Sequence, residues 1–129
     1  MQDQPTPSEI IGAVAVFLKT VVAVQTTGAT SFQARVAANA LEMMRRELDN
    51  SPADDAAELA RLEALLPGEE GSLLQLNAEL ARRIEAGELD LETPGLKEHL
   101  WLTTLAKLAV DQPTYGGYLA ALAERAGES

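Results

Sequence analysis

The chain contains no cysteine and a single histidine, His99, among its 129 residues. Without cysteine there is no disulfide framework, no thiolate nucleophile and no thiolate ligand for a metal. His99 has no HExxH motif around it, which excludes an ordinary zinc site. We therefore expect no bound metal and no cofactor. The absence of cysteine also fits a reducing compartment such as the cytoplasm.

Positive charge is scarce as well, because ten lysines and arginines stand against twenty acidic residues and the net charge is −10. Such a surface repels phosphate backbones and anionic lipid headgroups, so we expect no binding to nucleic acid. The N-terminus has no basic region of the kind that begins a secretory signal. The apolar stretch 10–24 is interrupted by Lys19 and Thr20 and is shorter than the ~20 residues of a membrane span. We expect a soluble, cytoplasmic protein that does not enter a membrane.

No stretch shows the sustained alternation of apolar and polar residues that indicates a half-buried strand. Every long segment has helical periodicity, and the sequence therefore predicts an all-α fold, a single compact bundle of five or six helices. The bundle forms one domain over 1–129 with an ordered core at about 6–126. Helix starts are marked by capping boxes or by a hydroxyl cap before proline, at Thr6, Thr30, Ser51, Ser72 and Thr93. The predicted helices are 7–26, 31–49, 52–66, 72–86, 94–111 and 114–126.

A line of polar residues runs beside the apolar face of the predicted helix 31–49. It consists of Arg35, Asn39, Glu42 and Arg46, which share one flank at about 100° per residue. In the structural interpretation, Asn39 is partly buried and bonds a loop backbone or another helix, and Arg35 joins that network. Glu42 then pairs with Arg46 at i, i+4. In the functional interpretation, the line is a polar rim around a groove or a surface that meets a partner.

A second polar group shares a face of the predicted helix 94–111. Its members are Thr103, Thr104, Lys107 and Asp111. The structural interpretation is a helix end in which Asp111 caps the segment that follows Pro113. The functional interpretation is a small anion site in which Lys107 supplies the charge.

The acids Asp54, Asp55 and Glu58 form a third group, in the first turns of the predicted helix 52–66. Acid pairs at this spacing bind Mg²⁺ when a second cluster faces them, but we find no convincing second cluster. Favourable interaction with the helix dipole accounts for acids at this position. The sequence also shows no nucleophile–base pair and no glycine-rich phosphate loop. We therefore expect that the protein is not an enzyme.

Three stretches together resemble a known family. They are FQARVAANALEMMRREL at 32–48, LARRIEAGELDLETPGLKEHL at 80–100 and AKLAVDQPTY at 106–115. Their sequences and spacing are similar to an uncharacterised bacterial family of short all-helical domains. Members of that family stand alone or follow aminoglycoside-phosphotransferase-like proteins, and some lie near acyl-CoA dehydrogenases. The resemblance implies an accessory role beside such enzymes and assigns no catalytic residue.

The function that these observations favour is a non-catalytic interaction or accessory module for a neighbouring enzyme. The helices predicted at 7–26 and 94–111 carry more apolar surface than one core hides, so we expect a homodimer that uses one of them. The alternative is a small-molecule-binding bundle, in which Arg35 or Lys107 holds an anion and an apolar tail lies between helices. A flat exposed apolar patch would favour the first hypothesis, and an enclosed pocket the second.

Overall fold

The computed structural model describes residues 3–128, and within that range it contains five helices and no strand. This confirms the all-α class and the predicted number of helices. The helices are α1 (Pro7–Gln25), α2 (Gly28–Leu65), α3 (Leu73–Glu85), α4 (Leu96–Asp111) and α5 (Gly116–Gly127).

Packing among the helices divides the chain into two compact units, Met1–Asn50 and Ser51–Ser129. Unit 1 contains α1 and the first part of α2. Unit 2 contains the remainder of α2 together with α3, α4 and α5. That the whole chain forms one domain stays a prediction.

The main departure from the predicted helices is that 31–49 and 52–66 are parts of one helix, α2. Ser51-Pro52 predicts a stop and a new start, because Pro52 has no N–H to donate to the Leu48 carbonyl and its ring crowds that group. The helix nevertheless continues, since one missing bond leaves the rest of the ladder intact. Strong helix formers lie about a turn away on either side, with arginine, glutamate and leucine at 45–48 and alanines at 53, 56 and 57, although Asp49, Asn50 and Ser51 beside the proline favour a helix less.

Helix α1 begins at the predicted capping box. The Glu9 N–H donates to Thr6 Oγ1 at 3.2 Å, and the Thr6 N–H donates to Glu9 Oε2 at 2.7 Å. Farther along, Leu18–Val22 forms a π-helical turn in which the Ala23 N–H donates to the Leu18 carbonyl, five residues back. Such turns are rare, and they are often found at functional sites.

Helix α1 and the first part of α2 run antiparallel in unit 1. The bonds that join them are Ser31 Oγ to the Ala23 carbonyl at 2.7 Å, Lys19 Nζ to Glu42 Oε2 at 2.9 Å and Ser8 Oγ to Asp49 Oδ2 at 3.1 Å. Among residues 3–50, the buried ones are small: Gly12, Ala15, Ala23, Ser31, Ala34 and Ala38. Small side chains let two helix backbones approach closely, and the larger Ile11, Leu18, Val21, Val22 and Leu41 are only half-buried.

Unit 2 has the larger core. Five leucines fill it, namely Leu62 from α2, Leu66 directly after α2, Leu76 and Leu80 from α3 and Leu96 from α4. Each fully buried leucine stabilises the fold by roughly 1.5–3 kcal/mol. The turn before α4 depends on Gly95, whose φ of +86° lies in the left-handed region that favours glycine.

One helix among residues 3–128 is long and apolar enough to cross a membrane, and it is α1. It is longer than the apolar stretch 10–24 because its capped first turn adds residues before Ile10. Only 11% of its most apolar window is buried. Helix α1 also carries the charged residues Glu9 and Lys19.

Candidate interaction surface and surface pocket

The structure places the predicted polar line on one flank of α2 in unit 1, beside the face that packs on α1. Arg35 and Asn39 are exposed, and Glu42 and Arg46 are half-buried. The prediction that Asn39 is at least partly buried is wrong. The face of α2 that packs on α1 is the line of Ser31, Ala34 and Ala38, and Asn39 lies away from it.

Glu42 has a partner that helical spacing alone does not reveal. Its carboxylate accepts a hydrogen bond from Lys19, which lies in the π turn of α1. Arg45, which the sequence did not single out, lies across the same helix pair. Its Nη1 atom is 2.7 Å from the position that a Cβ on Gly12 would occupy. A contact between an arginine and a glycine 33 positions earlier has no periodic signature, so sequence patterns could not predict it.

Large apolar side chains cover the outside of unit 1. Ten of them are 39% to 71% exposed: Ile10, Val14, Val16, Phe17, Val24, Phe32, Val36, Met43, Met44 and Leu48. Ile10, Val14 and Phe17 follow one another at i, i+4, i+7 on α1, and we call them the α1 stripe. Phe32, Val36, Asn39 and Met43 follow at i, i+4, i+7, i+11 on α2, and we call them the α2 seam. Asn39 is the only polar member of either set.

The acidic charge of the chain is distributed very unevenly. Unit 1 holds four basic and five acidic residues, net −1, whereas unit 2 holds six basic and fifteen acidic residues, net −9, which together make −10. Between Glu9 and Glu42 there is no acidic residue at all, and Lys19 and Arg35 are the charged residues of that stretch. The apolar side chains of unit 1 thus lie on an almost neutral surface.

The second predicted group is separated by the structure of α4. Thr103 accepts a hydrogen bond from Arg61 Nη2 at 3.3 Å, and Thr104 Oγ1 donates to the Leu100 carbonyl at 2.8 Å. Lys107 and Asp111 are exposed. Of these four residues, Thr104 lines the pocket at the start of α4.

That pocket lies at the start of α4 and has a volume of about 820 Å³. It is lined by the loop 91–95 and by one face of α4, namely Leu91, Glu92, Thr93, Pro94, Gly95, Lys97, Glu98, Leu100, Trp101 and Thr104. Glu98 accepts hydrogen bonds from Arg125 of α5 at 3.3 and 3.4 Å. The lysine that lines this pocket is Lys97 and not Lys107, which was predicted to hold an anion.

His99 lies on the opposite side of α4 and is buried, with 1% of its surface exposed. Its Nδ1 atom accepts a hydrogen bond from Arg61 Nε at 3.3 Å. Burial lowers the pKa of His99, the positive charge of Arg61 lowers it further, and Glu58 opposes the shift. Glu58 in turn accepts a hydrogen bond from Asn77 Nδ2 at 2.7 Å. These contacts connect α2, α3 and α4 within unit 2.

Asp54, Asp55 and Glu58 were predicted to lie in the first turns of a helix, where its dipole favours acids. They do not lie at a helix start, since α2 runs through them. Within residues 3–128, no three histidine, aspartate or glutamate side chains are grouped so that they would hold a metal ion. Farther along, Glu79 is hydrogen-bonded to Arg82 and Arg83 on the surface of α3, and these bonds lower its pKa to about 2.

The sequence profile described as "Domain of unknown function (DUF6285)" matches residues 24–115, which is 92 of the 129 residues. The chain belongs to the DUF6285 family. No curated protein and no solved structure matches it. The part shared with the DUF6285 profile includes the α2 seam and the pocket at α4, whereas the α1 stripe lies before it. The family description assigns no activity.

Proposed function

We propose that this DUF6285 protein is a non-catalytic interaction module that forms a homodimer and serves a neighbouring enzyme. The observation that carries the proposal is the apolar exterior of unit 1. Ten large side chains, 39% to 71% exposed, lie on the outside of this helix pair, whereas contiguous apolar surface beyond roughly 300–600 Å² is unusual on an ordinary monomer. The α1 stripe and the α2 seam each offer an apolar face that a partner would cover.

The charge distribution favours association through unit 1. Two copies of unit 2 repel each other, since each carries a net charge of −9, whereas two copies of unit 1 do not. The acidic unit 2 is left to attract a basic surface on a partner, which speeds encounter and disfavours wrong partners. The enzyme class proposed for that partner comes from the family resemblance and is phosphotransferase-like or acyl-CoA dehydrogenase-like.

The test is the mass of the protein in solution, measured by light scattering coupled to size exclusion at tens of micromolar. The expected mass is about twice 13.7 kDa. A variant with Val14→Glu and Val36→Glu should be monomeric, because it places one acid on the α1 stripe and one on the α2 seam. Leu74→Glu is the matched control, since Leu74 is 82% exposed on unit 2, and it should remain dimeric.

A monomeric wild type would overturn the dimer. A monomer that instead sediments with phosphatidylcholine vesicles would assign the apolar surface to a membrane. Dissociation by Leu74→Glu but not by the unit 1 variant would assign the interface to unit 2.

The pocket at α4 favours a second candidate function, the binding of a small apolar carboxylate. Trp101, Leu100 and Leu91 offer apolar surface, and no ion-pair partner of Lys97 lies among residues 3–128. Trp101 is the only tryptophan in the chain, so its fluorescence reports on this pocket directly. Titration with phenylacetate and octanoate should change the emission, and Lys97→Met should weaken both responses. Unchanged emission at millimolar ligand would contradict this function.

A further inference from the structure

We infer that the α2 seam is the dimer contact and that it pairs in the antiparallel direction with the same seam of a second copy. This inference rests on the proposed function and specifies its interface. The 4-3-4 spacing of Phe32, Val36, Asn39 and Met43 is the spacing of a and d positions in a coiled coil. Because Ser31, Ala34 and Ala38 already pack on α1, one face of α2 is covered by the described residues 3–128, and the seam on the far side stays open.

Asn39 is the residue that points to a second copy as the occupant. Its amide both donates and accepts hydrogen bonds, so it is complementary to the same amide in another copy. A single asparagine among apolar a and d positions fixes the register of a helix pair. An apolar ligand or a lipid surface would leave this exposed amide without a hydrogen-bonding partner.

The charges decide between the two possible directions. Unit 2 follows directly after Asn50 along the chain. In a parallel pair, the two acidic units would begin about 10 Å apart, at the distance between packed helices. In an antiparallel pair centred between residues 37 and 38, each unit begins about 20 Å from the centre, on opposite sides. The resulting separation of about 40 Å exceeds the Debye length of about 10 Å at 0.1 M salt.

The same centre gives a consistent set of neighbours, because antiparallel helices place a positions against d positions. Phe32 then lies opposite Met43 of the second copy, and Val36 lies opposite Asn39 of the second copy. The two Asn39 side chains thus occupy adjacent layers, about 4.5 Å apart along the axis, where their amides reach each other. A thioether against an aromatic ring is a favourable contact. Arg35 lies opposite Ala40, so its charge does not meet a like charge at the seam.

The experiment uses cysteine substitution, which is clean here because the chain has no cysteine of its own. In the double variant Phe32→Cys with Met43→Cys, oxidation should give a covalent dimer with two symmetric disulfides. The two positions are 11 residues apart, about 16 Å along one helix, which is too far for a disulfide within one chain. Each single variant should stay largely uncrosslinked. The matched control is Ala37→Cys with Leu48→Cys, which has the same separation on the other flank of α2 and should also stay uncrosslinked.

The outcomes separate this inference from the proposed function on which it rests. Crosslinking of the single variant Phe32→Cys would show a parallel pair and overturn the antiparallel direction. Equal crosslinking of the control pair would show random collision and overturn the seam. A dimeric mass without crosslinking at the seam would overturn the seam and leave the proposed homodimer standing, whereas a monomeric mass would overturn both. Circular dichroism checks that the exposed substitutions leave the helices intact.

Discussion

The ammonium group of Lys19 lies 2.9 Å from the carboxylate of Glu42, and this ion pair joins the π turn of α1 to the segment of α2 that carries the seam. Glu42 is the first acid after Glu9, so the pair neutralises the acid that ends the acid-free stretch. Both side chains retain about a third of their exposure, 38% for Lys19 and 34% for Glu42. Water and salt therefore screen their attraction.

We expect Lys19→Met and Glu42→Gln each to lower the free energy of unfolding by less than about 1 kcal/mol, as partly exposed pairs do. A double-mutant cycle by urea denaturation measures the coupling directly. The coupling should shrink in 1 M sodium chloride, where the Debye length is about 3 Å. A coupling of several kcal/mol that salt does not change would mean that the pair is buried, contrary to the structure.

Gly12 tests how closely the two helices of unit 1 approach. Gly12→Ala should keep or raise stability, because alanine in a helix is more favourable than glycine by about 1 kcal/mol. The atom in the way is the end of the flexible Arg45 side chain, which moves at little cost. Gly12→Leu should instead destabilise the pair, since its larger side chain has to fit against the buried face. Urea denaturation of the two variants checks the order, and a loss above about 1 kcal/mol for Gly12→Ala would contradict it.

His99 predicts a specific dependence of stability on pH. Its pKa is lowered in the fold by burial and by Arg61, so the folded protein keeps the ring neutral while the unfolded chain binds a proton below its ordinary value of about 6.5. Stability is therefore complete above pH 6.5 and falls as the pH drops below it. Urea denaturation between pH 7.5 and 5.5 should show this loss, and His99→Gln should remove the slope in that range.

The pH range separates His99 from the acids of α3. Glu79 has its pKa lowered to about 2, so its contribution is lost only as the pH falls from about 4.5 toward 2. A stability curve that stays flat between pH 7.5 and 5.5 in the wild type would contradict the assignment to His99.

The sequence predicted which residues form helices well, but it predicted less well which face of each helix is buried. Capping at Thr6 and at Ser72 depends on residues within one turn, and both boxes form. Which flank of α2 becomes buried depends on α1 instead. Periodicity treats Phe32 as more buried than Ala34, yet close backbone approach places Ala34 inside and Phe32 outside. The same limit explains why Lys97 was missed as the cation of the pocket, since the loop 91–95 supplies half of that site.

Asn39→Leu distinguishes the two interpretations of the polar line. Because Asn39 is exposed, the substitution strands no partner among residues 3–128, and the stability of the isolated monomer should change by no more than about 0.5 kcal/mol. In a dimer built on the α2 seam, leucine should tighten association but loosen the register. Added to the single variant Phe32→Cys, it should allow crosslinking that is absent with asparagine. A loss of 1–3 kcal/mol in the monomer would instead restore the interpretation of a buried amide.

Pro52→Ala addresses the helix that the sequence predicted as two. Alanine restores an N–H that can donate to the Leu48 carbonyl and removes the clash of the proline ring, so it should stabilise α2 by up to about 3 kcal/mol. Ala53→Gly, one position further along, is the control, because it raises the flexibility of the helix backbone. It should lower the free energy of unfolding by about 1 kcal/mol. Urea denaturation of the three proteins checks the order. If Pro52→Ala destabilises the protein, proline itself is needed at this position, close to the end of unit 1 at Asn50. The substitution therefore tells whether Pro52 is a tolerated defect in a continuous helix or a required part of its shape.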